Sequence, residues 1–259
     1  MPPCVPRLAR RLAAAFLAAC LASLEPGSDS LAGESAGPVD LNNPPRSYEE
    51  VRLGDWTVRV EKELLEKDPK LAREALARLE HKLGEALAIL PEPSHATLRG
   101  LKLFLLFGVE AQRGGKDNGL EYFQKRAPEC FGHLDPRMGD SVVIYSARNY
   151  VWLSEFWALK ALVHEFAHAW QLERLPEEHP DILDAWKGAM ARDLYRGLKD
   201  DRGAVLDRGY AAANQLEYFA ELSNMFFTGC DYFPFNREEL KAYDPAGHAM
   251  IRKMWDLPQ

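Results

Sequence analysis

Residues 163 to 170 read VHEFAHAW and place His164 and His168 four apart with Glu165 between them. On a helix those positions share one face, so both imidazoles can point a nitrogen at one ion with a carboxylate beside it. Two neutral imidazoles make half of a tetrahedral zinc shell. The neighbouring carboxylate can take a proton from water whose pKa the metal has lowered to about 7. The bland alternative is a core helix that carries two buried histidines.

What separates the two readings is a third ligand. An extended metzincin pattern needs Gly at 171 and His at 174, and the chain has Gln171 and Arg174 there. A cysteine-rich ribbon is absent, and His179 stands beyond a proline-bounded loop. A glutamate from a second helix remains, and NQLEYFAEL, residues 214 to 222, offers Glu217 and Glu221, four apart on one face. One of them can bind the ion while the other accepts a hydrogen bond from the far nitrogen of a ligand histidine and fixes its tautomer. Solvent-facing glutamates are the alternative, which the apolar neighbours Phe219, Ala220, Phe226 and Phe227 disfavour.

HEFAHAW followed by a separate Y-x6-E-Y-F-A-E helix resembles the gluzincin metallopeptidases, most closely the lethal-factor-type catalytic domain and its exported bacterial relatives. The closing YFPFNREELKAYDPAGHAMIRKMW is similar to the tail of those relatives, and the resemblance covers roughly residues 140 to 255. It implies that His164, His168 and Glu217 hold one zinc ion, that Glu165 is the general base, and that Glu221 stands behind a ligand histidine. Tyr210, seven residues before Glu217, is implied to stabilise the tetrahedral intermediate. The implied fold is α+β and zincin-like, a small mixed sheet packed on the HExxH helix and followed by a mainly helical C-terminal half. The implied activity is zinc-dependent hydrolysis of a peptide or protein substrate, with SVVIYSA, 141 to 147, as the edge strand along which the substrate lies. An exported zinc-binding module of the same fold without useful turnover is the alternative, and an intact Glu165 argues against it. DNA-repair proteases of the SprT kind share the HExxH-plus-glutamate look, but the export signal, the acidic balance and the missing zinc ribbon disfavour them.

The elements that must position these residues follow from periodicity. Trp56, Val58 and Val60 alternate with polar neighbours as in a half-buried strand. Asp68-Pro69 opens a helix with Leu71, Ala75, Leu79, Leu83 and Leu87 at every fourth position until Pro91. LKLFLLF, ending at Gly108, and SVVIYSA read as strands, while the Gly- and Pro-rich tract from 109 to 140 reads as loops. Helical patterns run from about Ser154 to Glu173, and near 181–198, 209–228 and 245–255.

Composition bounds the rest. A chain of 259 residues, 47% hydrophobic, buries one substantial core. A net charge of −7 without a basic aromatic-lined face argues against nucleic acid as a partner. Arg7, Arg10 and Arg11 precede the short apolar run LAAAFLAACLA, so residues 1–22 are expected to be a signal peptide, and Leu17-Ala18-Ala19-Cys20 resembles a lipobox in which Cys20 carries lipid and attaches the chain to a membrane. Residues 23–47, rich in Ser, Gly, Pro and Asn, are expected to be a flexible linker to one domain at 48–259. The localisation implied is exported: periplasmic, cell-envelope or secreted. Cys130 and Cys230 are then an even pair in an oxidising space, either joined or two buried thiols.

Overall fold

The computed structural model describes residues 39–42 and 45–258. The expected signal peptide with Cys20 and most of the expected linker lie outside the described residues. In chain order the elements are β1 (Tyr48–Leu53), β2 (Trp56–Glu61), α1 (Lys62–Lys67), α2 (Pro69–Ile89), α3 (Glu92–Arg99), β3 (Lys102–Leu105), β4 (Leu120–Phe123), α4 (Ala127–Cys130), β5 (Ser141–Ile144), α5 (Ala147–Trp152), α6 (Glu155–Arg174), α7 (Pro180–Ala191), β6 (Arg196–Lys199), β7 (Val205–Arg208), α8 (Gln215–Phe227), α9 (Arg237–Tyr243) and α10 (Pro245–Met254). About half of the described residues are helical, and the class is α+β. They fall into two compact bodies, one reaching Leu76 and resuming over Lys102–Trp152, the other formed by Ala77–Leu101 and the residues from Leu153 on.

The first body is built on a five-stranded mixed sheet in the order β1-β2-β3-β5-β4. β2, β3 and β5 run parallel, and β1 and β4 pair antiparallel at the two edges. SVVIYSA was expected at an edge, but β5 has β3 on one side and β4 on the other, so its backbone groups are already bonded and it cannot receive a substrate strand. All four of its side chains are buried, as an interior strand requires. Two elements fall outside the expectation. β1, YEEVRL, is too charged to read as a strand and is held by its hairpin with β2, where Gly54 takes the positive φ of 56° that the tight turn needs. β4 is only four residues long inside the tract read as loops, and its register with β5 comes from pairing, not from local pattern. Phe104, Phe123, Met138 and Val143 form part of this body's core together with Leu41, a residue of the expected linker that is 1% exposed and donates its N–H to the His133 carbonyl at 2.7 Å. Arg46, from the same tract, is buried in an ion pair with Glu61 at 2.6 Å.

The second body is mainly helical. Ser154 caps α6 by accepting from the Trp157 N–H, and the helix is buried from Ala158 through Gln171 except at Leu159. Asn214 caps α8 by accepting from the N–H groups of Leu216 and Glu217, so the helix expected from 209 begins only at Gln215, after a 3-10 turn at Tyr210–Ala212. The helix expected over 181–198 stops at Ala191. Asp193 and Tyr195 take positive φ angles of 56° and 65° that a right-handed helix cannot hold, and the chain turns into the β6–β7 hairpin. α10 closes the body: Trp255, just past it, stacks on Trp170 of α6 at 5.5 Å, and its indole N–H donates to Ser223 on α8. Cys230 is a free buried thiol, so it is not joined to Cys130.

Candidate metal centre

α6 and α8 pack against each other in the second body. Spacing by four brings Lys160, His164 and His168 to one face of α6, and Glu217 and Glu221 to the facing side of α8. All five side chains are buried.

Three donor atoms converge. His164 Nε2 lies 3.1 Å from His168 Nε2 and 3.1 Å from Glu217 Oε2, and His168 Nε2 lies 3.4 Å from the same carboxylate oxygen. A tetrahedral site has ligand-to-ligand edges about 1.63 times its bond length, hence about 3.3 to 3.4 Å at zinc's 2.0–2.1 Å. The three residues therefore fit one zinc ion as they stand. Two imidazoles and a carboxylate are also the donor set that borderline-soft zinc accepts.

The outer contacts of the two histidines differ. His164 Nδ1 lies 3.0 Å from Glu221 Oε1, which ties its N–H there and turns the Nε2 lone pair toward the other donors. His168 Nδ1 is buried without a hydrogen-bond partner among the described residues. Burial alone would lower the His164 pKa, but Glu217 and Glu221 on its two nitrogens outweigh burial and, with Glu165 adding to the field, push it up to about 10. Burial likewise works to raise Glu217, yet the imidazoles hold it down to about 2. Both shifts have one cause: the carboxylates of Glu165, Glu217 and Glu221 are gathered around the imidazoles, a setting that favours a cation.

Glu165 and Tyr210 stand at the same cluster. Glu165 is buried, and its charge acts on both His164 and Tyr210. Tyr210 stacks on the His164 ring at 5.9 Å with 25° between the planes, and its hydroxyl hydrogen-bonds to Glu217. Burial first, and then the surrounding carboxylates, raise its pKa far above the ordinary tyrosine value, so the phenol stays protonated and remains a donor. Gly209 lets the turn sit this deep: a Cβ there would meet the Tyr232 ring at 2.9 Å.

Sequence reasoning did not single out Lys160, Asp231, Tyr232 or Cys230 as a network. Lys160 Nζ contacts Asp231 at 2.5 Å and Glu221 at 3.3 Å. The signal for it was present in ALKALVHEFAHAW, where a lysine precedes His164 by four on an otherwise apolar face. Compared with protein-family models, with curated proteins and with solved structures, the chain matches none.

Proposed function

We propose that the chain is a zinc-dependent peptide-bond hydrolase of the gluzincin kind, with His164, His168 and Glu217 holding one zinc ion in a zincin-like arrangement. The observation that carries this is the triangle of donors with edges of 3.1, 3.1 and 3.4 Å, set by two crossing helices. When bound, zinc supplies a Lewis acid for the scissile carbonyl and brings the pKa of water down to about 7. Glu165, adjacent to a ligand in sequence and buried beside it, accepts the proton of the attacking water on its carboxylate and hands it to the departing amine nitrogen. Tyr210, kept protonated, donates its O–H to the oxyanion that develops on the carbonyl. Glu221 holds the His164 Nδ1–H, which keeps Nε2 unprotonated for its ligand duty. Export through residues 1–22 and attachment through Cys20 belong to the same proposal, and the mass of the mature N-terminus tests them.

Metal analysis of the purified protein, paired with digestion of a proteome-derived peptide library by wild type and Glu165→Gln, tests the activity. Stoichiometric zinc with cleavage that disappears in the Glu165 variant is the expected result. Zinc without cleavage would leave a binding module, and no zinc would remove both readings.

A further inference from the structure

Four residues beyond the zinc-holding triangle make a second cluster. The donor atoms of Glu221, Cys230 and Asp231 all lie within 4.8 Å of one another, a grouping that could itself hold a cation. A cation is already there, since the Lys160 ammonium contacts Asp231 Oδ1 at 2.5 Å and Glu221 Oε2 at 3.3 Å. It also faces the rings of Trp157 at 4.9 Å and Tyr232 at 5.7 Å. With its side chain 3% exposed, Lys160 has no water to lean on, and a buried ammonium persists only where carboxylates compensate its lost hydration.

The two oxygens of Glu221 divide their work. Oε1 faces His164 Nδ1 at 3.0 Å, and Oε2 faces Lys160 at 3.3 Å and the Cys230 thiol at 3.5 Å. A carboxylate free to turn about its last torsion would not hold Oε1 in one place. Tyr232 ties the same carboxylate to the turn that carries Tyr210: it hydrogen-bonds to Glu221, and its hydroxyl oxygen accepts the Ala211 N–H at 3.0 Å.

We propose that Lys160 is a positioning residue of the zinc site: by anchoring Oε2 of Glu221 it aims Oε1 at His164 and so fixes the imidazole that presents Nε2 to the metal. This rests on the zinc reading given above, and zinc affinity measured by competition with a chromogenic chelator tests the two separately. Lys160→Met keeps the length of the side chain and removes its charge, so it opens no space for a second ion. Outer partners of ligand histidines usually govern affinity by about 10- to 100-fold, and Lys160→Met and Glu221→Gln are each expected to lose zinc affinity in that range with the helical circular dichroism retained. The double variant Lys160→Met/Glu221→Gln is expected to be no weaker than the weaker single variant, because both changes disable one device. In the zinc-loaded protein the downfield proton resonance of the His164 Nδ1–H is expected to move upfield in Lys160→Met, which a purely structural lysine would not cause. Unchanged affinity in a folded Lys160→Met, or losses that multiply in the double variant, would overturn the inference. Should Lys160→Met not fold, Glu221→Gln and the double variant decide alone: equal affinities support the inference, and a further tenfold loss overturns it. A wild type that binds no zinc would instead fail the proposed function itself.

Discussion

Along the crossing of α6 and α8 lie two clusters of metal-grade donors, one turn apart, which have opposite fates. At His164, His168 and Glu217 the donors face one another at 3.1 to 3.4 Å. At Glu221, Cys230 and Asp231 the donors lie within 4.8 Å of one another, and both carboxylates contact the Lys160 ammonium. Both gather carboxylates at mostly buried positions, Asp231 alone being partly exposed, so the presence of carboxylates alone does not tell them apart. What differs is whether the fold supplies its own tethered cation. Where it does, the carboxylates pair with that ammonium; where it does not, the carboxylate faces two imidazoles, the arrangement proposed above to hold a metal. Glu217 and Glu221, alike in sequence and four residues apart, differ in their neighbours: Glu217 faces the two Nε2 atoms, and Glu221 lies between His164 Nδ1 and the Lys160 ammonium.

The sharpest way to break this contrast is to neutralise one carboxylate at a time. Glu217→Gln is expected to lose nearly all zinc on dialysis, whereas Glu221→Gln retains it at saturating metal; metal analysis of the two reads the difference, and full zinc in the Glu217 variant would reverse the assignment. Glu165→Gln probes chemistry without touching the metal. Its zinc content should match wild type while kcat on a peptide substrate falls by about 10²- to 10⁴-fold. Tyr210→Phe tests whether the ring stacked on His164 belongs to the open cluster as a donor. A fall in kcat of about 10²- to 10³-fold with KM and zinc content held marks transition-state contact. A loss of about 1 to 3 kcal/mol in stability with kcat intact would return Tyr210 to the role of a buried hydroxyl.

The smallest effect concerns a carboxylate with its own cation in the first body. Asp135 is 1% exposed and receives Arg137 in a paired contact, much as Glu221 receives Lys160. Burial pushes its carboxyl up, but the Arg137 bonds outweigh burial and hold it below the usual 3.8. A folded pKa below the unfolded one stabilises the protein above about pH 4 and stops doing so as pH falls through the folded value. Asp135→Asn should therefore cost about 1 kcal/mol at pH 7, shrinking toward pH 3 in urea unfolding, and leave zinc content unchanged. An equal cost at both pH values would show that the pair acts through packing and not through charge.

Much of the helical half was legible because helices declare themselves locally. Ser154 and Asn214 are capping residues at the starts of the two site helices, and apolar residues at helical spacing mark the rest. The sheet was less so. β4 has four residues in a glycine-rich tract, half of β1 is charged, and both exist because a partner strand supplies their hydrogen bonds. The same limit put β5 at an edge when it is interior: a run of SVVI shows that a strand is buried and says nothing about how many neighbours it has. The 181–198 helix was overrun for a related reason, since the chain first takes positive φ at Asp193 and Tyr195, neither of them a glycine, before Gly197 does the same.

At the site, spacing by four determined by itself which side chains share a face of each helix, because the α-helix repeats every 3.6 residues whatever surrounds it. It thereby fixed His164 with His168 and Glu217 with Glu221 as facing pairs before any contact was known. It could not say which glutamate faces the Nε2 atoms of both histidines and which takes the outer Nδ1 of His164, nor that Lys160 and Asp231, 71 residues apart, would meet beside the latter. Those depend on the depth and register at which two helices cross and on where the chain returns after α8. Distances of this kind are set by the packing of the whole second body, to which no local stretch of sequence has access.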